Sequence, residues 1–503
     1  MKKFLFIISC IMSAGVLQAQ SKIFKEVGEE ISTQFKTITQ DNALVGYLAF
    51  TKLEKSDADS FNYRISIMDE NLNDIGTVNF RQVNLYLQAV SFEKDVLSLG
   101  YIKSPMIAGV GRKEARKAKK NEDYNTIMVQ FVGLNGKIIN AYTKPVDLTT
   151  AVLVTGYFST KQTGYLKHAL QISNVANTGF SVFYGDEKKN ELLLFDLKGN
   201  MIHEKTVSAE ISECVLQTAG QNIYLLTKKN DHFNWGNYVV NFEGGYTVYM
   251  YNAGEPDAEY RYKLTDPHGN SLKVLSFDND PVSGHAYLAG CVINTSRYKD
   301  FITAHDYSHA PYLGVFTLDL GKTDKDVKAT YSYWDKETIP GLTKEGLFSD
   351  KDFYVKYHTA FRDFKGNTVF AGSAMAEKRL LGAAKYRMTD GVFVQQDASG
   401  GLKLDNNIPC DESAYFGPAA MVAERDKKAF YKVVNLDART HYIVIDDEDN
   451  TYIYNVDGKK VMRTIQHKDG KIKTRVYPAK EGHVMVSEYN SREKSTKLSI
   501  EAL

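Results

Sequence analysis

Cysteine is scarce in this chain. Only Cys10, Cys214, Cys291 and Cys410 occur among 503 residues, no two of them close together. That spacing excludes a zinc-finger pair and a C-x-x-C redox motif, and it offers no even, patterned set for a disulfide framework. Cys214 and Cys291 lie in apolar, strand-like runs and read as small buried hydrophobes. Charge of one sign is also lacking. Lys and Arg total 62 against 61 Asp and Glu, a net +1. A near-neutral chain has no global field to draw in nucleic acid or an anionic membrane. After the N-terminus no apolar run approaches the roughly 20 residues a membrane helix needs. No G-x-S-x-G, P-loop or dinucleotide fingerprint follows a strand, so no cofactor is expected. Carboxylates are plentiful, but sequence alone cannot select a glycosidase pair from them.

The start of the chain has the form of an export signal. Met1-Lys2-Lys3 is positively charged, Phe4 to Val16 carry no charge and are mostly apolar, and Leu17-Gln18-Ala19 supplies a small residue before a cut. Residues 1–19 are therefore expected to be removed, leaving Gln20 or Ser21 first and, with Lys2 and Lys3 gone, a net charge of −1. Ile7-Ile8-Ser9-Cys10 loosely matches a lipobox. However, only six residues separate Lys3 from Cys10, and Ile11 and Met12 continue the apolar run, so lipid anchoring is not expected. The protein is expected in the periplasm or outside the cell.

The body of the chain favours strands. The full chain holds 32 Tyr and 26 Phe but only 10 Pro, nearly all of them past the leader. One unit keeps returning: a strand, a turn rich in Asn, Asp and Gly, then a second strand. Tyr63–Met68 turns near Asn71 to Asp74, Tyr124–Val132 at Asn135-Gly136, and Leu192–Leu197 at Gly199-Asn200. Tyr246–Asn252 turns with Gly254, Tyr312–Asp319 with Gly321, Val392–Asp397 with Gly400-Gly401, and Tyr452–Val456 with Asp457-Gly458. Turns of this kind use positive φ, which Gly and Asn tolerate. Other strand pairs precede these: Leu87–Phe92 with Val96–Tyr101, Val274–Phe277 with Ala286–Val292, and His358–Phe361 with Val369–Ala374.

The unit thus has four strands, A to D, and recurs every roughly 55 to 80 residues, longer than a WD-type blade. The expected fold is all-β: one β-propeller of seven or eight four-stranded blades over 20–503, with tandem β-sandwiches as the alternative. The count is ambiguous at Ala429–Val461, where Tyr431–Val434, Tyr442–Ile445 and Tyr452–Tyr454 offer one strand too many. The last three strands, Thr474–Tyr477, His483–Tyr489 and Lys497–Ile500, have no fourth. Ser21–Val27 could supply it and close the ring, although Ile23, Val27, Ile31 and Phe35 also fit one face of a helix.

In a propeller the A–B and C–D turns share one face, and the B–C and D–A connections share the other. Here the first set is short. Ser104–Asp123, Asn230–Gly245, Asn294–Ala310 and Ala376–Asp390 are long B–C links, and Asp335–Asp352 is a long D–A link. Insertions gathered on one face mark it as the binding surface, and the tight turns leave the opposite rim little room for a site. Arg112 to Lys120 is a basic cluster without interleaved aromatics, fitting a solvated loop or an acidic partner rather than nucleic acid. Asp231 to Tyr238 mixes aromatic and amide side chains that can stack on a sugar or pack their own loop. His305 and His309, within Tyr298 to His309, form the only close His pair, but the Glu of a zincin is missing and no third ligand is evident, so no metal is expected. Trp235, Tyr298 and Tyr307 are the expected contacts, because Trp and Tyr concentrate binding energy.

A leader ending Leu17-Gln18-Ala19-Gln20, followed by Tyr-rich hairpins, resembles secreted β-propeller-like proteins of unknown function from Gram-negative bacteria. The resemblance spans the mature chain and is one of style, so it assigns no residues. The expected function is that of an exported, non-catalytic binding or scaffold protein of the bacterial envelope, with an envelope protein, a peptide or a glycan as partner. A propeller hydrolase acting on a glycan or peptide is the alternative.

Overall fold

The computed structural model describes residues 21–25, 32–40, 43–56, 60–103, 126–146, 170–185, 189–207, 213–228, 232–234, 239–241, 245–293, 312–336, 339–348, 353–380, 383–410, 413–417, 429–435, 439–446, 450–467, 471–480 and 482–503. These residues form eight antiparallel blades of four strands, one of them with a fifth strand added, and a separate two-stranded sheet; in all but one blade the four strands follow one another in chain order across the sheet. Strand β1 (Ser21–Lys25) is set apart by its role and is taken last. Blade 1 is β2 (Ser32–Gln40), β3 (Ala43–Lys55), β4 (Ser60–Met68) and β5 (Asp74–Val83). Blade 2 is β6 (Leu85–Glu93), β7 (Val96–Lys103), β8 (Thr126–Gly133) and β9 (Ile138–Pro145). Blade 3 is β10 (Gln171–Val175), β11 (Gly179–Gly185), β12 (Asn190–Asp196) and β13 (Met201–Thr206).

Blade 4 is β14 (Glu213–Ala219), β15 (Asn222–Lys228), β18 (Tyr246–Asn252) and β19 (Glu255–Lys263), with the small hairpin β16 (His232–Asn234) and β17 (Val239–Asn241) inserted between β15 and β18. Blade 5 is β20 (Ser271–Asn279), β21 (Ala286–Ile293), β22 (Tyr312–Asp319) and β23 (Lys328–Tyr333). Blade 6 is β24 (Tyr354–Arg362), β25 (Thr368–Leu380), β26 (Ala383–Gln396) and β27 (Leu402–Ile408), with β28 (Ser413–Gly417) added against β26. Blade 7 is β29 (Ala429–Asn435), β30 (Thr440–Asp446), β31 (Asn450–Asn455) and β32 (Lys460–Gln466). Blade 8 is β33 (Ile472–Pro478), β34 (His483–Asn490), β35 (Ser495–Ala502) and, as its outermost strand, β1, which pairs with β35 from Ser21↔Ser499 to Lys25↔Ser495.

The ring is visible in the cores. Eight apolar clusters fill the gaps between successive blades. The one that closes the circle sets Met485, Leu498 and Ile500 of blade 8 against Tyr47, Ala49 and Met68 of blade 1. This is an eight-bladed β-propeller, which displaces both the seven-bladed count and the tandem sandwiches. The extra strand suspected in Ala429–Val461 is no surplus: the three strands there are A, B and C of blade 7, and Lys460–Gln466 is its D strand. Ile23 and Phe35 lie on strands rather than one helical face.

Packing on both sides explains the sequence pattern. Middle strands such as β8 (TIMVQFVG) are buried throughout their interior and read as continuous apolar runs. Outermost strands such as β9 (IINAYTKP) alternate between exposed and half-buried. Tyrosine is abundant because its ring fills the gap between blades while its hydroxyl ties blades together. Tyr63 Oη accepts the Leu85 N–H at 2.7 Å, Tyr287 Oη the Arg362 N–H at 2.9 Å, and Tyr431 Oη the Val476 N–H at 2.9 Å. Across the closing gap, Tyr47 Oη donates to the Pro478 carbonyl at 2.8 Å.

Candidate functional site

The A strands β2, β6, β10, β14, β20, β24, β29 and β33 lie side by side in that order, Tyr477 of β33 touches Phe35 of β2 to close the circle, and together they wall the central channel. Every A–B and C–D turn therefore opens on one face, and every B–C and D–A connection on the other.

The short-turn face is locked by a recurring device, an Asp whose carboxylate closes its own turn. Asp69 accepts the N–H groups of Asn71 and Asn73 and the Asn73 amide. Asp196 does the same for Lys198 and Asn200, and Asp363 for Lys365 and Asn367. Asp397 accepts Ser399 and Gly401. Such Asx turns satisfy backbone donors that would otherwise need water. Partial burial pushes the Asp69 and Asp196 carboxyls up, but the Asn73 and Asn200 bonds outweigh it and hold both below the usual carboxylate value. Asp397 is held low chiefly by the Ser399 hydroxyl. Neighbouring turns also touch: a Cβ on Gly76 would lie 2.1 Å from the Leu134 carbonyl oxygen, and Gly136, at φ +81°, would place one 2.6 Å from that of Thr77.

This face is not featureless, contrary to the expectation of little room there. A cleft of about 880 Å³ opens between blades 4 and 5, lined by Gln221, Asn252, Asn279, Asp280, His285 and Lys322 among others. A cleft of that size falls in the small-molecule range. Most of its polar groups are already committed: Asn279 Nδ2 donates to the Thr218 carbonyl, and Asn252 Nδ2 to Asn222 Oδ1. Asn279 Oδ1, however, is buried without a hydrogen-bond partner. Beside the cleft, Arg362 pairs with Asp280 at 3.2 Å and with Asp319, its guanidinium 4.8 Å from the Tyr287 ring centre. Burial works against the Asp280 carboxylate, but the Ser283 and Val282 N–H groups and Arg362 hold its pKa low. Further along the channel wall Lys432 pairs with Asp278, spanning blades 7 and 5.

His441 is almost fully buried, its ring stacked on Phe361 and close to Phe364. Burial, aided by Lys432, pushes its pKa down to about 3, so the imidazole is neutral at ordinary pH. Its Nδ1 stands 3.9 Å from Asp457 Oδ2, beyond hydrogen-bond reach, and is unpaired. That geometry is a packed histidine and not an oriented base.

The long-loop face carries added structure where it is described. The β25–β26 hairpin continues past the ends of its neighbours. β24 stops at the Tyr354↔Met375 pair, yet Met375 to Leu380 go on pairing with Met388 to Ala383, and β28 adds a third strand there. Ala376–Asp390, expected as a loop, is therefore mostly strand. The Asn230–Gly245 link contains the β16–β17 hairpin. Trp235, Tyr298 and Tyr307 all lie outside the described residues, as do Cys10, the Arg112–Lys120 cluster, His305 and His309. Trp235 falls between β16 and β17 in sequence. Cys214, Cys291 and Cys410 form no disulfide, and the first two are buried between blades. Among the described residues no helix is long and apolar enough to cross a membrane.

No protein-family profile matches this chain, and no curated protein matches it. Solved structures similar to it include the WD40 domain of SCAP from fission yeast, at 8% identity and TM-score 0.41, covering 96% of this chain and 98% of that one. The dihydro-heme d1 dehydrogenase NirN in complex with DHE matches at 12% identity and TM-score 0.43, covering 90% and 73%. One of two prolyl endopeptidases matches at 10% and 0.37, covering 90% of this chain and 54% of that one. The propeller assignment rests on this chain's own strand pairing and owes nothing to these distant likenesses.

Proposed function

We propose that this chain is an exported, non-catalytic binding or scaffold protein of the bacterial envelope. It holds an envelope protein, a peptide or a glycan on its long-loop face, with Trp235, Tyr298 and Tyr307 as contacts. The observation that carries the reading is the asymmetry of the two faces. One is stitched by Asp-closed turns, while the other bears an extended three-stranded hairpin and a second small hairpin grown from B–C links. Rigid scaffolds display binding groups on such outgrowths. Export is supported by the charged start, the apolar run and Ala19.

The test is a cross-linking pull-down from native envelope with partners identified by mass, repeated with Trp235→Ala, Tyr298→Ala and Tyr307→Ala. Loss of a specific partner in these variants, with unchanged melting, supports the reading. Unchanged capture in all three overturns it. Intact mass of the exported protein should place its first residue near Gln20 or Ser21 with no lipid, and a diacylated Cys10 would contradict that.

A further inference from the structure

Ten large apolar side chains stand exposed among the described residues, and six of them fall at one structural position. The chain leaves each C–D turn into the outermost strand of its blade, so the first residues of that strand lie at the short-turn edge of the rim. Ile75 is the second residue of β5, Ile138 and Ile139 open β9, Met201 and Ile202 open β13, and Val461 is the second residue of β32. A seventh, Ile23, lies midway along β1, the outermost strand of blade 8. All seven are 40% to 58% exposed. Exposed aliphatics scattered singly need no explanation. These recur on blades 7, 8, 1, 2 and 3 in succession, whereas blades 4 and 5 open their outer strands with Glu255-Pro256 and Lys328-Ala329, and blade 6 with half-buried Leu402 and then Lys403.

Their direction follows from the strand pairing, because residues directly opposite in an antiparallel pair share a face. Ile138 is opposite Val132, which clusters with Leu48 and Phe50 of blade 1. Met201 is opposite Phe195, which packs on Phe131 of blade 2. Val461 is opposite Tyr454, which stacks on Phe393 of blade 6. Ile75 sits in a bulge beside Asp74, opposite Met68, which clusters with Met485 and Leu498 of blade 8. Phe24 packs toward blade 1, so its neighbour Ile23 faces blade 7. Each gap between blades, from blade 6 round to blade 3, thus has an exposed aliphatic at its outer end. The free charge beside this row is positive. Lys25, Lys137, Lys198 and Lys460 are exposed, lie within three residues of the row, and make no ion pair among the described residues. The described carboxylates equally near, Asp74 and Glu204, are already paired with Lys22 and Lys144.

We propose that this row is a docking edge for the surface of an anionic lipid bilayer. The aliphatic side chains enter the boundary between headgroups and acyl chains, and the lysines meet lipid phosphates. A bilayer takes up apolar side chains one by one, so their spacing along the rim is no obstacle. A protein partner would need a continuous apolar core, which this row does not offer. The attraction is local, so the near-neutral charge of the whole chain does not oppose it. The long-loop face is turned away from the bilayer and stays open to its own partner.

The experiment is flotation of the full mature chain with vesicles of phosphatidylcholine alone and of phosphatidylcholine mixed with phosphatidylglycerol. Two paired variants, Ile138→Ser with Ile139→Ser and Lys137→Gln with Lys198→Gln, are compared with Tyr260→Ser, an exposed side chain on outer strand β19 of blade 4. The wild type and Tyr260→Ser should float with the mixed vesicles and not with phosphatidylcholine alone. Binding to the mixed vesicles should weaken roughly 10-fold or more in each paired variant, through lost apolar burial in the first and lost charge in the second. Melting temperatures are measured alongside. If the isoleucine pair does not fold, the lysine pair, whose ammonium groups have no partner among the described residues, decides alone. The proposal fails if the wild type does not float with the mixed vesicles, if neutral vesicles bind as well, or if either folded paired variant floats like the wild type. In the first of these cases, a wild-type dimer that the isoleucine pair dissolves would assign the row to a second copy of the chain.

Discussion

The two faces of this disc are built from the same strands and differ in what joins them. On one face the chain turns within a few residues, and many of the described turns are closed by their own carboxylate or pass through a glycine at positive φ. On the other it runs on, in places as paired strands beyond the limits of the blade. The difference separates two kinds of sequence constraint. Turns on the first face are fixed by stereochemistry, so a change there should be felt as lost stability. The long links on the second carry less of that constraint, although the D–A link from blade 4 to blade 5 is closed by Asp266 in the same way, so a change in a long link should be felt, if at all, as lost binding.

The sharpest way to break this comparison is at the contact of blades 1 and 2. Gly136→Ala combines a positive φ with a Cβ 2.6 Å from the Thr77 carbonyl oxygen, and should cost about 2–4 kcal/mol. Chemical denaturation would show it as a lower midpoint, and a wild-type midpoint would mean that the turns yield easily. Next comes Asp363→Ala. This carboxylate is 5% exposed and accepts two backbone N–H groups, the Asn367 amide and, at 3.3 Å, the Gln395 amide. Losing it strands buried donors, at about 2–3 kcal/mol.

Acid should act on the same face more mildly. The carboxyls of Asp69, Asp196 and Asp397 have folded pKa values below their unfolded ones. Each therefore contributes stability that is fully present above the unfolded value and is lost as pH falls through the folded one. Melting temperature should decline as pH drops below roughly 4. The replacement Asp196→Asn should flatten that decline, and an unchanged acid limb would show that these bonds do not differ between folded and unfolded chains. The smallest stability effect is expected on the far side: Trp235→Ala, Tyr298→Ala and Tyr307→Ala should each shift unfolding by less than about 0.5 kcal/mol. A large fall in melting would show instead that these rings pin their own loops.

The fold was largely legible because its rules are local. Turns such as Gly199-Asn200 and Gly400-Gly401 announce themselves within five residues, and the β12 and β26 strands beside them are strongly apolar. Even the borrowed strand at Ser21 was visible, as the partner the last three strands lacked. Blade 7 was misread because its C and D strands meet at Asp457-Gly458 while its A strand is short and polar at one end, so the D strand Lys460–Gln466, alternately exposed, carries a weak apolar signal. The cleft between blades 4 and 5 was not legible for a different reason: Asn222, Asn252, Asn279 and Lys322 come from separate strands and turns, and only the packed blades bring them together. The Tyr hydroxyl ties were hidden likewise, since composition shows many tyrosines but not which backbone groups receive them.

The borrowed strand has a kinetic consequence. β1 leaves the ribosome long before β35, with Lys25 and Ser495 separated by 495 − 25 = 470 positions, yet the two must pair along β1. Every other blade can assemble from neighbouring stretches of chain, while this one waits on a contact of very large sequence separation, the kind whose loop-closure entropy makes folding slow. Until that contact forms, β35 is an unpaired edge at one end of an open arc and β1 a loose strand seeking it. Two such arcs at high concentration would satisfy each other's edges, so exchange of Ser21–Lys25 between copies is the misassembly this architecture must outrun.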